Sequence, residues 1–158
     1  MRFLVFLAIA VTAKANVIAT APRDLCVDRL PGLGYGYCTA DETCVHGGPV
    51  CHLVAASFID VDATADFALI QGSSIARKIM SAGDVSQTDV YEMLPYSDNL
   101  VSLKMDGADI VDMLNSVVTM AHTSHETLSA TYAGVYPYAA GLRFQVDMQQ
   151  GEDRNPCR

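Results

Sequence analysis

Apolar residues recur every three to four positions in two parts of this chain, a period typical of amphipathic helices. The first part begins at Pro49, a residue type that suits the first turn of a helix, and the second is residues 106–122, which open on Asp-Gly. A third, shorter helix is predicted over residues 86–94, where a Ser and a Thr at the start can act as caps. The predicted buried faces of the two longer helices are Val50, Leu53, Val54 and Phe58, and Ile110, Met113, Leu114, Val117 and Val118.

Three other stretches predict β-strands. Residues 66–70 contain a short continuous apolar run, which is typical of a buried strand. Residues 99–105 and 139–148 alternate apolar and polar positions, as half-buried strands do. Their apolar positions are Val101, Leu103 and Met105 in the first, and Leu142, Phe144 and Val146 in the second. Because helices and strands follow one another in turn, the predicted class is α/β, of the α+β type, with a mixed sheet flanked by helices.

The first residues of the chain predict a secretory signal peptide. Arg2 precedes a short apolar run, and an A-x-A cleavage pattern ends at Ala15. The run is shorter than the roughly 20 residues that a membrane-spanning helix needs. We therefore expect residues 1–15 to be removed and the mature protein to be secreted, with no membrane anchor after cleavage.

The cysteines predict disulfide bonds formed in an oxidising compartment. Four of the five lie within a Cys/Gly/Pro-rich segment and the first helix, and these four allow three different pairings. Residues 16–49 therefore form a segment rich in turns, and residues 50–158 are predicted to form the domain proper. The cysteines are Cys26, Cys38, Cys44, Cys51 and, near the other end, Cys157.

Composition narrows the classes of function. The 158 residues are 51% hydrophobic and 18% charged, which predicts one globular domain and not a disordered chain. The formal net charge of -8 argues against binding to nucleic acid, because phosphate backbones are held by clustered Lys and Arg. An anionic ligand would have to be held by a few placed groups.

Histidines and acidic residues are the candidates for metal or acid–base chemistry. His122 and His125, and the group of cysteines and histidines between residues 44 and 52, contain metal-ligand types without a zinc spacing. Carboxylates at Asp84, Asp89 and Glu92 could act as acid and base, although acids beside a helix start are commonly structural. Since motifs such as G-x-S-x-G and the P-loop are also absent, we predict no catalytic residue and no metal site.

A polar Gly-Ser-Ser turn follows the predicted buried strand directly. Such a turn can expose backbone N–H groups to an anion, and Arg77 and Lys78 follow it closely. Further along the chain, Tyr96 comes directly after Pro95 and could offer a rigid face to a flat ring. The alternative is a plain strand–turn connection with a surface tyrosine.

Residues 65–118, "ADFALIQGSSIARKIMSAGDVSQTDVYEMLPYSDNLVSLKMDGADIVDMLNSVV", resemble the C-terminal domain of the 5'-nucleotidase family. That family also includes apyrase-like and nucleotide-sugar hydrolases. The similarity extends over residues 26–148, and its motifs are the Ala-Asp strand, Gly-Asp-Val, Leu-Pro-Tyr and Ala-Gly-Leu-Arg-Phe. The fold that the resemblance implies is that of the family's C-terminal domain, truncated at its C-terminal end.

The resemblance implies a nucleotide-binding role in nucleotide catabolism. Members of the family are secreted, periplasmic or surface-attached hydrolases in which a separate metallophosphatase domain holds two divalent metals and the C-terminal domain grips the nucleotide. The family's turn reads Asn-Gly-Gly-(Gly)-Ile/Val-Arg; here Ala76 takes the Arg position, and Tyr35 stands where another Arg is expected. The implied substrate-binding residues are Gln71, Gly72, Ser73, Ser74, Arg77 and Tyr96, the last stacking on the base.

The departures from the family limit what this chain is expected to do. It contains no Asp-x-His or Gly-Asn-His motif, so it is expected to hold no cofactor and to hydrolyse no nucleotide by itself. The family's last segment, with a second stacking aromatic, has no counterpart after Met148. A nucleotide or nucleoside, a separate catalytic domain and a second copy are therefore the expected partners. The alternative is a secreted non-enzymatic binding protein that reuses the fold; nothing in the sequence supports an independent enzyme.

Overall fold

The computed structural model describes residues 16–32, 38–39, 43, 47–76, 78–126 and 132–146, except the side chains of residues 124–126 and 132–133. The predicted signal peptide, Cys44 and Cys157 lie outside these residues. In chain order the elements are β1 (Val17–Ala21), α1 (Pro49–Val61), β2 (Ala68–Gln71), a 3₁₀ turn (Gly72–Ser74), β3 (Gly83–Ser86), α2 (Gln87–Met93), α3 (Gly107–Glu126), a second 3₁₀ turn (Tyr132–Val135) and β4 (Pro137–Ala140).

The α/β class predicted from the sequence is confirmed, but the sheets are smaller than expected. Within the described residues the strands form two separate two-stranded antiparallel sheets, β1 with β3 and β2 with β4, where one mixed sheet was predicted. Ala68 lies opposite Ala140 and Gln71 opposite Pro137 in the second sheet. Strands β1 and β3 were not predicted, because their sequences lack a clear period of two.

All three predicted helices are present. Helix α1 begins at Pro49, as predicted, but Leu53 is exposed, while Cys51 and Ala55 share the buried face with Val50 and Val54. Helix α3 buries or half-buries all five residues of its predicted face. It continues to Glu126, beyond the end predicted at residue 122.

A capping box begins α2. The Ser86 Oγ accepts the Asp89 N–H at 3.3 Å, and the Asp89 carboxylate accepts the Ser86 N–H at 2.8 Å. Hydrogen bonds from the Ser86 side chain and backbone lower the pKa of the Asp89 carboxyl. Asp89, one of the candidate acid–base residues, therefore has a structural role in this helix.

Among the described residues, one of the two predicted alternating strands finds no partner, and the other pairs only through its first two residues, Ala139 and Ala140, in β4. Residues 94–106 form no helix, strand or turn, so the strand predicted over 99–105 is wrong as secondary structure. Residues 142–146 are likewise outside any strand, yet Leu142, Phe144 and Val146 are half-buried while Arg143 and Gln145 are exposed. The alternation of side chains was predicted correctly there, but none of the described residues supplies the neighbouring backbone that a ladder of hydrogen bonds needs.

The main core lies between α1, the β2–β4 sheet and the N-terminal segment. Tyr138 on β4 is only 1% exposed, and its ring meets the rings of His52 and Tyr136 edge-on, with centroids 5.4 Å and 5.3 Å away. The residues of this cluster are Val27, Val50, Cys51, Val54, Ala55, Ile70, Ile75, Met93 and Tyr138. A smaller cluster joins Leu30 to Ala121 on α3.

The fully buried Asp28 ties the N-terminal segment to this core. Its carbonyl oxygen accepts a hydrogen bond from the Tyr138 hydroxyl at 2.7 Å, and its carboxylate accepts one from the Thr43 hydroxyl at 2.6 Å. A disulfide joins Cys26 to Cys38 in the same segment, whereas Cys51 has a free, buried thiol. Burial raises the pKa of the Cys51 thiol to about 12, so this cysteine is a packing residue rather than a nucleophile.

Candidate functional site

The Gly-Ser-Ser turn, Gly72–Ser74, begins where β2 ends, at the exposed Gln71. The pairing of β2 with β4 sets its position, and the Gly72 N–H donates a hydrogen bond to the Tyr136 carbonyl at 3.1 Å. This N–H is therefore engaged inside the chain and does not face an anion, contrary to the simplest interpretation of an exposed turn.

Glycine at position 72 allows the N-terminal segment to approach the turn. A Cβ atom at this position would lie 2.9 Å from the Arg29 carbonyl oxygen and 3.1 Å from the Arg29 Cα, both backbone atoms that cannot easily move. Gly72 thus has a packing role, and its contact with a substrate stays a prediction.

The second 3₁₀ turn, Tyr132–Val135, packs closely against Ser73. A Cβ atom on Gly134 would lie 2.6 Å from the Ser73 Cβ, so the two backbones are close together. Ser73 and Ser74 are both half-buried, and Ile75, the next residue, is fully buried and anchors the turn in the core. The two half-buried serines consequently lie on a backbone that is fixed at both ends.

A backbone hydrogen bond connects this turn to the segment that carries Tyr96. The Ala76 N–H donates to the Met93 carbonyl at 2.8 Å, at the last residue of α2. Pro95 follows shortly after the helix, where a proline prevents its continuation, and Tyr96 is 62% exposed beside it. This hydrogen bond therefore connects the two segments that were predicted to contact a ligand, the turn after Gln71 and the segment that contains Tyr96. Arg77 lies outside the described residues, as does Tyr35.

An open, largely apolar cleft of about 370 Å³ borders Gln71. One wall comes from β2 and another from a stripe on α3 with the spacing i, i+4, i+7, which places its residues on one face of the helix. Among the described residues that line it, Gln71 alone has a polar side chain; the others are Leu69, Ile70, Met113, Val117, Met120, Val135 and Pro137. The helical period predicts Met113 and Val117 as core residues, and only the tertiary packing shows that they also line a cleft.

Most of the remaining candidates for catalysis have structural partners, whereas Asp84 is exposed on β3. Glu92 forms an ion pair with Lys78, which raises the pKa of the lysine, and Asp89 belongs to the capping box. His52 Nδ1 lies 3.1 Å from the Ala139 carbonyl oxygen, and His122 meets the ring of Tyr136. His46 and the His125 side chain lie outside the described residues.

Within the part of the chain that the structure describes, no group of three or more His, Cys, Asp or Glu residues could hold a metal ion. The same residues contain no helix long and apolar enough to cross a membrane.

Comparison with known proteins shows which family the sequence matches. Residues 30–155 match the family described as 5'-nucleotidase, C-terminal domain. Among curated proteins, the chain is 27% identical over 84 residues to the "Probable 5'-nucleotidase" of Treponema pallidum. It is 28% identical over 78 residues to the "NAD 5'-nucleotidase" of Haemophilus influenzae and 32% identical over 80 residues to "Protein UshA" of Escherichia coli.

These relatives are much longer than the matched region. The alignments cover 53%, 49% and 51% of this chain but only 13%, 12% and 13% of the three proteins. A solved structure of the NAD nucleotidase NadN from Haemophilus influenzae superposes with a TM-score of 0.58 at 21% identity, covering 79% of this chain and 20% of that one. The structural likeness supports the fold, and the sequence match supports the family.

Proposed function

Because this chain belongs to the family of 5'-nucleotidase C-terminal domains, we propose that it is the nucleotide-recognition domain of a secreted phosphohydrolase of the 5'-nucleotidase type. In this role it binds the nucleotide, and a separate catalytic domain supplies the metal ions and the hydrolytic step. The names of two relatives describe nucleotidases far longer than the aligned region, which supports this division of labour.

The observation that carries the proposal is the hydrogen bond from the Ala76 N–H to the Met93 carbonyl. Ala76 follows the Gly72–Ser74 turn closely, and Met93 lies shortly before Tyr96. The bond therefore holds the turn and the tyrosine segment together, and we call this connection the junction. A ligand bound at this junction would stack its ring on Tyr96, because an exposed aromatic face tolerates any base. The Gln71 amide, which can both donate and accept, would contact its polar edge.

Secretion is supported by the N-terminal sequence and by the disulfide. The Cys26–Cys38 bond is a disulfide of the kind found in proteins that fold in oxidising compartments. The apolar run before Ala15 has the length and cleavage pattern of a signal peptide.

The second candidate is a secreted binding protein without any enzymatic partner. It is favoured by Ala76, which stands where the family has an arginine that faces the substrate. An arginine holds a phosphate through two parallel hydrogen bonds, and alanine cannot replace this interaction. Under this alternative the ligand would be a nucleoside or another flat molecule without a phosphate.

Isothermal titration of AMP and adenosine tests the proposal. The substitution Tyr96→Ala is expected to weaken binding of both ligands by roughly 5- to 150-fold, because stacking on one aromatic ring contributes about 1–3 kcal/mol. Tyr91→Ala is the matched control. Tyr91 is a similarly exposed tyrosine, at 66%, but it belongs to α2 and not to the segment after Met93 that contains Tyr96. Binding of neither ligand to the wild-type protein would contradict the first candidate, and it would exclude adenosine as the ligand of the second.

The substitution Arg77→Ala distinguishes the two candidate functions through its effects on the binding of AMP and of adenosine. If this arginine holds a phosphate, the substitution weakens AMP binding and leaves adenosine binding unchanged. Equal affinities of AMP and adenosine for the wild-type protein would favour the second candidate.

The isolated chain is expected to show no phosphatase activity on AMP in the presence of Mn²⁺ or Zn²⁺. Hydrolysis of this type needs a metal ion to generate the nucleophile and to neutralise the phosphate, and the sequence contains no motif that supplies the metal ligands. Phosphate release is measured with protein from two independent purifications. Turnover that copurifies with the chain and scales with its concentration would refute the proposed division of labour.

A further inference from the structure

The turn after Gln71 and the segment that contains Tyr96 are connected at the surface as well as at the junction. The Lys78 ammonium group forms an ion pair with the Glu92 carboxylate, and both side chains are about half exposed. Lys78 follows the turn closely, and Glu92 lies on α2 directly before Met93. The ion pair therefore adds a second connection between the same two segments.

The inner connection is made at the core. Ile75 and Met93 are both buried and belong to the main apolar cluster. Beside them, the Ala76 N–H donates to the Met93 carbonyl. Because the angular preference at a carbonyl acceptor is broad, one hydrogen bond leaves the two segments some freedom to rotate about it.

The ion pair limits this rotation. The Lys78 N–H donates a hydrogen bond to the Ala76 carbonyl at 2.9 Å, so the backbone sets the position of Lys78 relative to the junction. The lysine ammonium group then reaches Glu92, which lies beside the junction on the other segment. Contacts at two different points define the relative orientation of two segments, whereas a contact at one point does not.

The end of α2 determines where Tyr96 begins. The helix ends at Met93, the Leu94 N–H still donates to the Val90 carbonyl at 2.9 Å, and Pro95 has a restricted φ. Two residues with limited backbone freedom therefore separate Tyr96 from the helix. A change in the direction of the helix end moves the tyrosine ring relative to the turn.

Lys78 is engaged in this pair and not in contact with a ligand. The hydrogen bond to Glu92 raises the pKa of the Lys78 ammonium group, and the negative charges of Glu92 and Asp89 act in the same direction. The lysine therefore stays charged and paired. Since exposed ion pairs contribute little to the free energy of unfolding, we expect the pair to affect local orientation more than the stability of the fold.

We propose that Lys78 and Glu92 are positioning residues for the ligand at the junction, and that their ion pair sets the orientation of Tyr96 relative to the turn after Gln71. This inference rests on the proposed function. A base stacked on Tyr96 contacts Gln71 only when the two segments keep one orientation. Loss of the pair lowers the fraction of molecules in that orientation, and the apparent affinity falls by the same factor.

Isothermal titration of adenosine into the Glu92→Gln variant tests the proposal. The substitution is expected to weaken adenosine binding by about two- to fivefold, which corresponds to the loss of an exposed ion pair. Adenosine carries no charge, so the altered net charge of the protein does not act on it directly. Asp60→Asn is the matched control, because it removes the same charge from an exposed position on α1.

Exchanging the two charges should restore binding. In the double variant Lys78→Glu/Glu92→Lys the ion pair forms in the opposite sense, and we expect an adenosine affinity within about twofold of that of the wild type. At about 1 M salt the pair is screened, so the wild-type protein and Glu92→Gln should bind adenosine equally well. The unfolding temperatures of these proteins should differ little.

Amide hydrogen exchange measures the restraint without any ligand. In Glu92→Gln the Ala76 amide is expected to exchange about two- to fivefold faster, because its hydrogen bond to Met93 opens more often. The Gly72 amide, which donates to the Tyr136 carbonyl, is the internal control and should keep its exchange rate. An unchanged exchange rate at the Ala76 amide would overturn the proposal.

The titrations distinguish a failure of this inference from a failure of the proposed function. Equal binding of adenosine by the wild-type protein and by Glu92→Gln would overturn the positioning role and leave the proposed function standing. Tighter binding of AMP by Glu92→Gln, with adenosine binding unchanged, would also overturn it, because Glu92 would then compete with the phosphate for Lys78. A wild-type protein that binds neither ligand would overturn the proposed function, and the positioning role with it.

Discussion

Replacing Tyr138 with alanine is expected to lower the free energy of unfolding by about 3–5 kcal/mol, the range observed for large aromatic residues removed from cores. Tyr138 is fully buried on β4, and its ring lies between His52 and Tyr136. Its hydroxyl donates to the Asp28 carbonyl, so the substitution also leaves a buried acceptor with one bond fewer. Tyr138 is the residue at which the sheet, α1 and the N-terminal segment meet.

The substitution Tyr138→Phe distinguishes the contribution of the hydroxyl to stability from that of the ring. This variant keeps the packing and loses only the hydrogen bond, so we expect a loss of about 1–2 kcal/mol. Burial raises the pKa of the Tyr138 phenol, so the hydroxyl remains a donor throughout the neutral and mildly alkaline range. Urea unfolding followed by circular dichroism measures both variants. A Tyr138→Ala protein within 1 kcal/mol of the wild type would contradict the central position of this residue.

Replacing Gly48 with alanine is expected to lower the free energy of unfolding by about 3 kcal/mol, at the upper end of the range for overpacking. A Cβ atom at this position would lie 2.4 Å from the Asp28 backbone nitrogen and 3.2 Å from the Val27 carbonyl carbon. The neighbours are backbone atoms, so relief requires α1 and the N-terminal segment to move apart. The backbone of Gly48 is extended, with φ of -69°, and the cost is therefore steric and not conformational.

Gly107→Ala is the matched control for this prediction. Gly107 begins α3, and nothing lies within 4 Å of the position that a Cβ atom would occupy. Because alanine favours helix over glycine by up to about 1 kcal/mol, this variant is expected to be as stable as the wild type or more stable. Thermal unfolding of the two variants side by side should show opposite or clearly unequal shifts. A larger loss of stability for Gly107→Ala than for Gly48→Ala would contradict the close packing around Gly48.

The candidate site was only partly predictable. The turn after a buried strand and the exposed tyrosine beside Pro95 were predicted correctly as features, because each depends on a few consecutive residues. The role of Gly72 was not predicted, since its close neighbour Arg29 and its hydrogen-bond acceptor Tyr136 lie far away in the sequence. The cleft beside Gln71 also escaped prediction, because a helical stripe in a sequence does not show which part of it is covered.

The sequence by itself determined the local structure. Pro49 begins a helix because its ring suits the first turn, Ser86 and Asp89 cap α2 because their side chains reach the free N–H groups, and the apolar face of α3 follows from its period. Only the tertiary structure decided which strands find partners. The alternating residues of 99–105 pair with none of the residues that the structure describes, since a strand needs the backbone of a neighbour and a sequence pattern does not supply one.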